Sequence, residues 1–457
     1  MATTIPQPDV NNIWRLETPG IEDWSRTARP EDPNKYFMVS TDGHVQEPAD
    51  LWRTRMDKKF RERLPGVAVN AQGKKFQKTE GFRPLRIRNI EFRGEDLLRN
   101  QSGADPEDRI RDLAADGVDA EILFPNKGLT IWATPDPTFS QAMCHVWNNW
   151  AWEVFGDYND RLSPMACVAS ADIPGAIQEI QRCAELGFRG LSLPCKPVWG
   201  APDHEHLNYN LPEFDSLWAT IQEVDLPVTF HVSTGRDPRT SRGSGGAVIN
   251  YAVHSLAPTM EPIANLCASG ALDRFPDLRF GSVEAGIGWV PWAIWALDEA
   301  YRKHHMFVRP NLSKLPSDFF RSNGFATFQE DKPGLDLARE HGLVDNFMWA
   351  NDYPHHEGTW PHSAPAIERT MGQLSDHERA NVLGLNAARV FRLPIPTQYH
   401  AQEDVADVVA VEVDVFEGRD ELFERDGTGH SVFLANVLDV YRFDDEISTF
   451  YYISCYL

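Results

Sequence analysis

Residues 40–52 read STDGHVQEPADLW. Asp42 and His44 stand two positions apart at the end of an apolar run, YFMVSTD, that reads as a β-strand, and Glu47 follows. Strand residues at i and i+2 point to one face, so a carboxylate and an imidazole are delivered side by side. Such a pair can grip one metal ion, or it can be the ordinary polarity of a strand end. What the rest of the chain brings to the same place decides between them.

Seven further segments have strand character: GVDAEILFP, LSPMACVAS, FRGLSLPC, LPVTFHVS, LRFGSVEAG, GFATFQED and DNFMWANDYPH. Helical stretches lie between them. In PGAIQEIQRCAELG, residues Ala176, Ile177, Ile180, Cys183 and Ala184 recur at helical spacing and Gly187 closes the pattern. EFDSLWATIQEVD is a second such stretch. Strands alternating with helices predict parallel βα units. Eight of them predict an α/β fold of the (β/α)8 TIM-barrel kind, with active residues at the C-terminal ends of the strands.

The flanks break this rhythm. Residues 1–36 are rich in Pro, Asp and Asn and read as an N-terminal arm. The barrel occupies 37–394, with a charged insertion after the first strand at about 53–105 (RTRMDKKFRERLPG, GKKFQKTEGFRPLRIRN). Residues 395–457 read as a C-terminal extension, with alternating Val409, Val411, Val413 and Val415, then a helical HSVFLANVLDVYRF and an apolar STFYYISCYL. An apolar terminus of this kind suits docking on its own barrel or on a neighbouring subunit, a copy of this chain or another.

The other strand ends answer the opening question. Strand five ends TFHVST and places His231 there; strand six ends GSVEAG and places Glu284; strand eight ends WANDYPHHEG and places Asp352, with His355 just beyond. Four strand ends that each carry a ligand or general base, all converging on one mouth, point to a metal site rather than to solvated edges.

These motifs resemble the amidohydrolase-related branch of the amidohydrolase superfamily, the group that includes the aminocarboxymuconate-semialdehyde decarboxylase-like enzymes. The resemblance covers roughly residues 37–394 and rests on TDGHVQEPADLW, TFHVST, GALDRFPDLRFGSVEAGIGWVPW and NFMWANDYPHHEGTWPHS. It implies a metal-bearing barrel in which Asp42, His44, His231 and Asp352 hold a divalent ion, zinc most often, with manganese or iron as alternatives. Two imidazoles and two carboxylates suit such ions better than calcium or magnesium. An open position on the ion would acidify bound water, and Asp352 would take its proton. His355 would orient Asp352.

One departure matters. Decarboxylases of this family carry a His at the end of strand six, where this chain has Glu284. A Glu replaces a His near neutral pH only if its surroundings raise its pKa. Glu284 with Glu47 and His254 could instead hold a second metal, and a dinuclear iron or manganese centre suits O2 chemistry. The loop after strand five, GRDPRTSRGSGGAV, carries Arg236, Arg239 and Arg242, which could clamp a substrate carboxylate. Trp289, Trp292 and Trp349 are read as core packing.

Composition narrows the partners. With 44 Lys and Arg against 67 Asp and Glu, the net charge is -23, which disfavours nucleic acid and anionic membranes. No run of 18 apolar residues suggests a membrane span, and the first residues lack the pattern of a signal peptide. The six cysteines form no CxxC pair and read as reduced thiols of a cytoplasmic protein. GxSxG and GxGxxG motifs in the right setting are absent, against a serine hydrolase or a dinucleotide enzyme. The resulting expectation is a metal-dependent hydrolase acting on a small, carboxylated molecule. Non-oxidative decarboxylation, dinuclear hydroxylation and an inactive structural subunit stand as alternatives.

Overall fold

A computed structural model describes residues 5–81, 84–87, 90–198, 208–235, 241, 243–304, 306–307 and 311–403. All eight expected strands are present. They are β1 (Val39–Val45), β5 (Ala120–Pro125), the broken strand β6–β7 (Leu162–Pro164, Ala166–Cys167), β8 (Leu191–Leu193), β9 (Val228–His231), β10 (Phe280–Val283), β11 (Gly324–Phe328) and β12 (Phe347–Trp349). Within the insertion, β2 (Gly66–Val69), β3 (Lys75–Lys78) and β4 (Leu85–Arg86) form a small antiparallel sheet of their own.

The eight pair in parallel, in two runs: β1-β5-β6, and β7 through β12 in sequence. The runs join on one side where Met165 donates to Leu123 while Ala166 donates to Gly190. On the other, Gly43 bridges in parallel to Tyr353, with His44 N–H donating to the Tyr353 carbonyl at 2.7 Å and Asp352 N–H to the Asp42 carbonyl at 3.1 Å. The ring of strands makes the TIM barrel read from the sequence.

Burial explains why near-continuous apolar runs became strands. All seven residues of β1 and all six of β5 are buried, as a parallel sheet covered on its outer face requires. The helix Ile173–Leu186 packs Ala176, Ile180 and Cys183 inward, and Gly187 ends it at φ +108°, donating to the Ala184 and Cys183 carbonyls. Asp172 caps its start through the Gly175 N–H.

Two details differ from the sequence reading. Trp349 is buried and Trp289 half-buried, but Trp292 is 65% exposed on the outer face of the helix Trp289–Lys303. The first residues of the segment assigned to the extension pack on the barrel: Tyr399 meets Phe37 at 5.4 Å, and Gln402 accepts from the Phe37 N–H. Residues 404–457, with the valine alternation and the apolar terminus, lie outside the described residues, so those expectations are not addressed. Among the described residues no helix is long and apolar enough to cross a membrane.

Candidate metal centre

The barrel brings together side chains separated by three hundred residues. Asp42 and His44 project from β1, His231 ends β9, Glu284 follows β10 and Asp352 follows β12. His231 Nε2 lies 3.2 Å from Asp42 Oδ1 and 3.5 Å from Glu284 Oε2. His44 Nε2 lies 3.4 Å from the same Asp42 oxygen and 3.5 Å from Asp352 Oδ1. Donor atoms of Asp42, His44, His231 and Glu284 all fall within 4.8 Å of one another. Asp352 joins through His44 and His355, a second set within that same span.

The far side of each imidazole is tied to backbone. His44 Nδ1 faces the Pro125 carbonyl at 3.0 Å, and His231 Nδ1 faces the Val232 carbonyl at 2.8 Å. A carbonyl only accepts, so each Nδ1 carries hydrogen and each Nε2 is turned into the mouth as a donor atom for a cation. Glu284 and Asp352 sit in the left-handed region, at φ 60° and 52°. Strain of this kind at non-glycine residues persists where the surroundings impose it. Here it turns two carboxylates off their strands and toward the histidines.

Electrostatics make the cluster costly as it stands. Asp42, His44, His231 and Asp352 are completely buried, and Glu284 nearly so. Burial, with His355 and His231 nearby, pushes the His44 pKa well below its ordinary value. For His231 burial acts downward, but the charge and hydrogen bond of Asp42 outweigh it and the net shift is upward. Burial and then Asp352 push Glu284 well above the usual carboxylate range. Burial and then Asp42 do the same to Asp352. Asp42 Oδ2, His44 Nε2 and Asp352 Oδ1 are buried without a hydrogen-bond partner. Orphaned, converging donor atoms beside crowded like charges are what a divalent cation would relieve. The residues present therefore fit a mixed N/O metal site.

His355 lies where the sequence put it, beside Asp352, with Nδ1 3.0 Å from Oδ1 and its ring stacked on His44 at 3.9 Å between centroids. Glu47 and His254 do not join Glu284. Both Glu47 oxygens are already taken, one by the Lys127 N–H at 3.0 Å and one by the Gly128 N–H at 2.9 Å. Glu47 thus ties the end of β1 to the turn after β5. His254 is half-buried in the π-helical stretch Asn250–Ser255 and belongs to none of the donor groups among the described residues. Glu284 has a different set of neighbours: Asp352, His355 and Glu357 offer donor atoms within 4.8 Å of it and of each other. Glu357 escaped the sequence reading, although the run DYPHHEG held the signal. Arg236, Arg239 and Arg242 lie outside the described residues. Beside Glu284 opens a cavity of about 190 Å³ lined by Val232, Tyr251, Leu256, Phe328 and Gln329. The Gln329 amide donates to Asp352 Oδ2 at 3.3 Å.

The chain is similar to several known proteins. The gamma-resorcylate decarboxylase of Rhodococcus jostii (strain RHA1) is 27% identical over 258 residues, 51% of this chain and 71% of that protein. That of Rhizobium radiobacter is 24% identical over 296 residues, 62% of this chain and 86% of its own length. Among solved structures, an amidohydrolase from Mycobacterium avium subsp. paratuberculosis K-10 superposes with a TM-score of 0.63 at 20% identity, covering 78% of this chain and 99% of that one. The 5-carboxyvanillate decarboxylase of Novosphingobium aromaticivorans DSM 12444, complexed with manganese and 4-hydroxy-3-methoxy-5-nitrobenzoic acid, superposes with a TM-score of 0.56 at 18% identity, covering 82% of this chain and 100% of that one. At such identities the superpositions speak to the fold alone. A family model described as Amidohydrolase matches residues 41–393, most of the sequence, and the chain belongs to that family.

Proposed function

We propose that this protein is a metal-dependent, non-oxidative decarboxylase of a small hydroxylated aromatic acid. The observation that carries the reading is the buried group Asp42, His44, His231, Glu284 and Asp352, of which Glu284 lines a cavity, in a chain whose relatives are gamma-resorcylate decarboxylases. Hydrolysis, the expectation from the resemblance, has support only at the level of the family.

Asp42, His44, His231 and Asp352 would hold the ion, and manganese is favoured over zinc because a similar decarboxylase binds it. When bound, the ion supplies positive charge against substrate oxygens, where charge builds up as CO2 leaves. The remaining work falls to the chain. Phe328 and Val232 give the cavity apolar walls, and Gln329 orients Asp352. Loss of CO2 leaves an electron pair on the ring carbon, which must take a proton. Glu284, which lines the cavity and is not among those four ligands, is the carboxyl placed to deliver it. A Glu kept largely from water can take the place of the missing histidine as the acid there. CO2 release from 2,6-dihydroxybenzoate by manganese-loaded protein tests the reading. It should be abolished by Asp352→Asn, and no release from this or other ortho-hydroxybenzoates would end it.

A second reading has its own observation. Glu284, Asp352, His355 and Glu357 form a carboxylate-rich set adjoining the first, sharing Glu284 with it. Two ions held by Asp42, His44, His231 on one side and His355, Glu357 on the other would favour dinuclear hydroxylation. Two iron or manganese ions per chain, with O2 uptake, would support it.

A further inference from the structure

The loop after β12, residues 350–362, carries Asp352, His355 and Glu357, and its backbone carbonyls have unusual partners. The His355 carbonyl accepts from Arg99 Nη1 at 2.6 Å. The His356 carbonyl accepts from Arg15 Nη2 at 2.7 Å, and the Gly358 carbonyl from Arg15 Nη1 at 2.5 Å. Arg15 comes from the N-terminal arm, in the 3-10 helix Val10–Leu16; Arg99 comes from the insertion, in the helix Gly94–Gln101. Both are buried, Arg99 at 1% exposure and Arg15 at 8%.

Burying a guanidinium is costly unless its donors are used. Arg99 spends its other donors on Glu95 Oε1, at 3.0 and 2.6 Å, and Glu95 Oε2 lies 2.8 Å from His362 Nε2 at the end of the same loop. The Arg15 carbonyl is in turn held by Arg369 at 2.9 Å. Burial and then the nearby Arg99 lower the Arg15 pKa, so the two cations sit together against some repulsion. Two segments foreign to the barrel thus place two buried forks on one short turn. A lysine has the charge but not the fork.

From this geometry we infer that Arg15 and Arg99 are positioning residues that clamp the 353–358 turn, so that His355 and Glu357 face Asp352 and Glu284. The arm and the insertion then belong to the site although neither contributes a donor to it. The inference extends the proposal that the mouth takes a divalent ion, and the test separates the two.

The variants are Arg99→Lys and Arg15→Lys, with Arg279→Lys as control. Arg279 is also a partly buried guanidinium on a backbone carbonyl, that of Val390 at 3.1 Å, but it precedes β10 at the opposite end of the barrel. Amide exchange of residues 353–362 is measured first in metal-free protein, then Mn2+ affinity by titration. The clamp predicts at least ten-fold faster exchange in that segment for both loop variants and not for the control, and Mn2+ binding weakened 10- to 100-fold. Unchanged exchange in the loop variants, or the same acceleration in all three, overturns it. If Arg99→Lys fails to fold, Arg15→Lys alone decides by the same readouts. Faster exchange in a protein that binds no Mn2+ even unmutated would keep the clamp and remove the metal proposal instead.

Discussion

Arg109→Met tests how the site is supported from beneath. Arg109 and Glu121 are both completely buried. The guanidinium donates to the Glu121 carboxylate, to the His44 carbonyl and, at 3.0 Å, to the Gly103 carbonyl, and it lies 4.6 Å from the Tyr353 ring centroid. One side chain therefore links β1, β5, the end of the insertion and the loop after β12. Removing one partner of a buried pair costs about 3–5 kcal/mol, because the other charge is left uncompensated. Glu121 sets the pH dependence. Burial pushes its carboxyl from 4.5 up to about 7, although Arg109 pulls it down. A carboxyl with a raised folded pKa binds more protons folded than unfolded, so stability falls as pH rises through that window. In the native chain that loss is at most about 3 kcal/mol. Without Arg109 the carboxyl moves higher still, and the deficit of Arg109→Met should be larger at pH 9 than at pH 5. Urea unfolding followed by tryptophan fluorescence at both pH values measures it. Arg109→Met/Glu121→Leu should recover most of the loss, since neither charge then remains. A deficit under about 1 kcal/mol, a deficit independent of pH, or simple additivity in the double variant would refute the reasoning.

Two further outcomes follow from the same geometry. Glu47→Gln should lower stability by about 1–3 kcal/mol, because an amide that accepts with only one oxygen cannot satisfy both the Lys127 and Gly128 N–H groups, while the number of metal ions bound stays the same; metal analysis of the purified variant checks the second half. Glu179, opposed by burial but held down to about 2 by His145, Arg182 and Asn148, lends stability that is present above its ordinary 4.5 and lost as pH falls toward 2. Glu179→Gln should therefore cost about 1–3 kcal/mol at pH 7 and flatten acid unfolding between pH 4.5 and 2, as read by circular dichroism.

The strands were legible because buried parallel strands are continuous apolar runs, and the donors because Asp42, His44, His231, Glu284 and Asp352 all close such runs. What the sequence hid depends on backbone far away in the chain. Glu47 looked like a donor because nothing local announces the Lys127 and Gly128 amides, eighty positions on. Glu357 was missed because its approach to Glu284 needs the loop that begins with Asp352 at φ 52°. Trp292 looked like core because the helix Trp289–Lys303 is apolar on two faces, of which only one meets the barrel. The clamp by Arg15 and Arg99 was invisible for the same reason: its acceptors are carbonyls, and carbonyls carry no residue identity.

The most direct measurement is Mn2+ titration of the metal-free protein by calorimetry, with His44→Ala and His231→Ala alongside. The native chain should bind at least one ion tightly, and each variant should lose at least a hundred-fold in affinity while remaining folded. Equal binding by all three, or none by the native chain, would contradict the claim that these distant side chains meet to hold a cation.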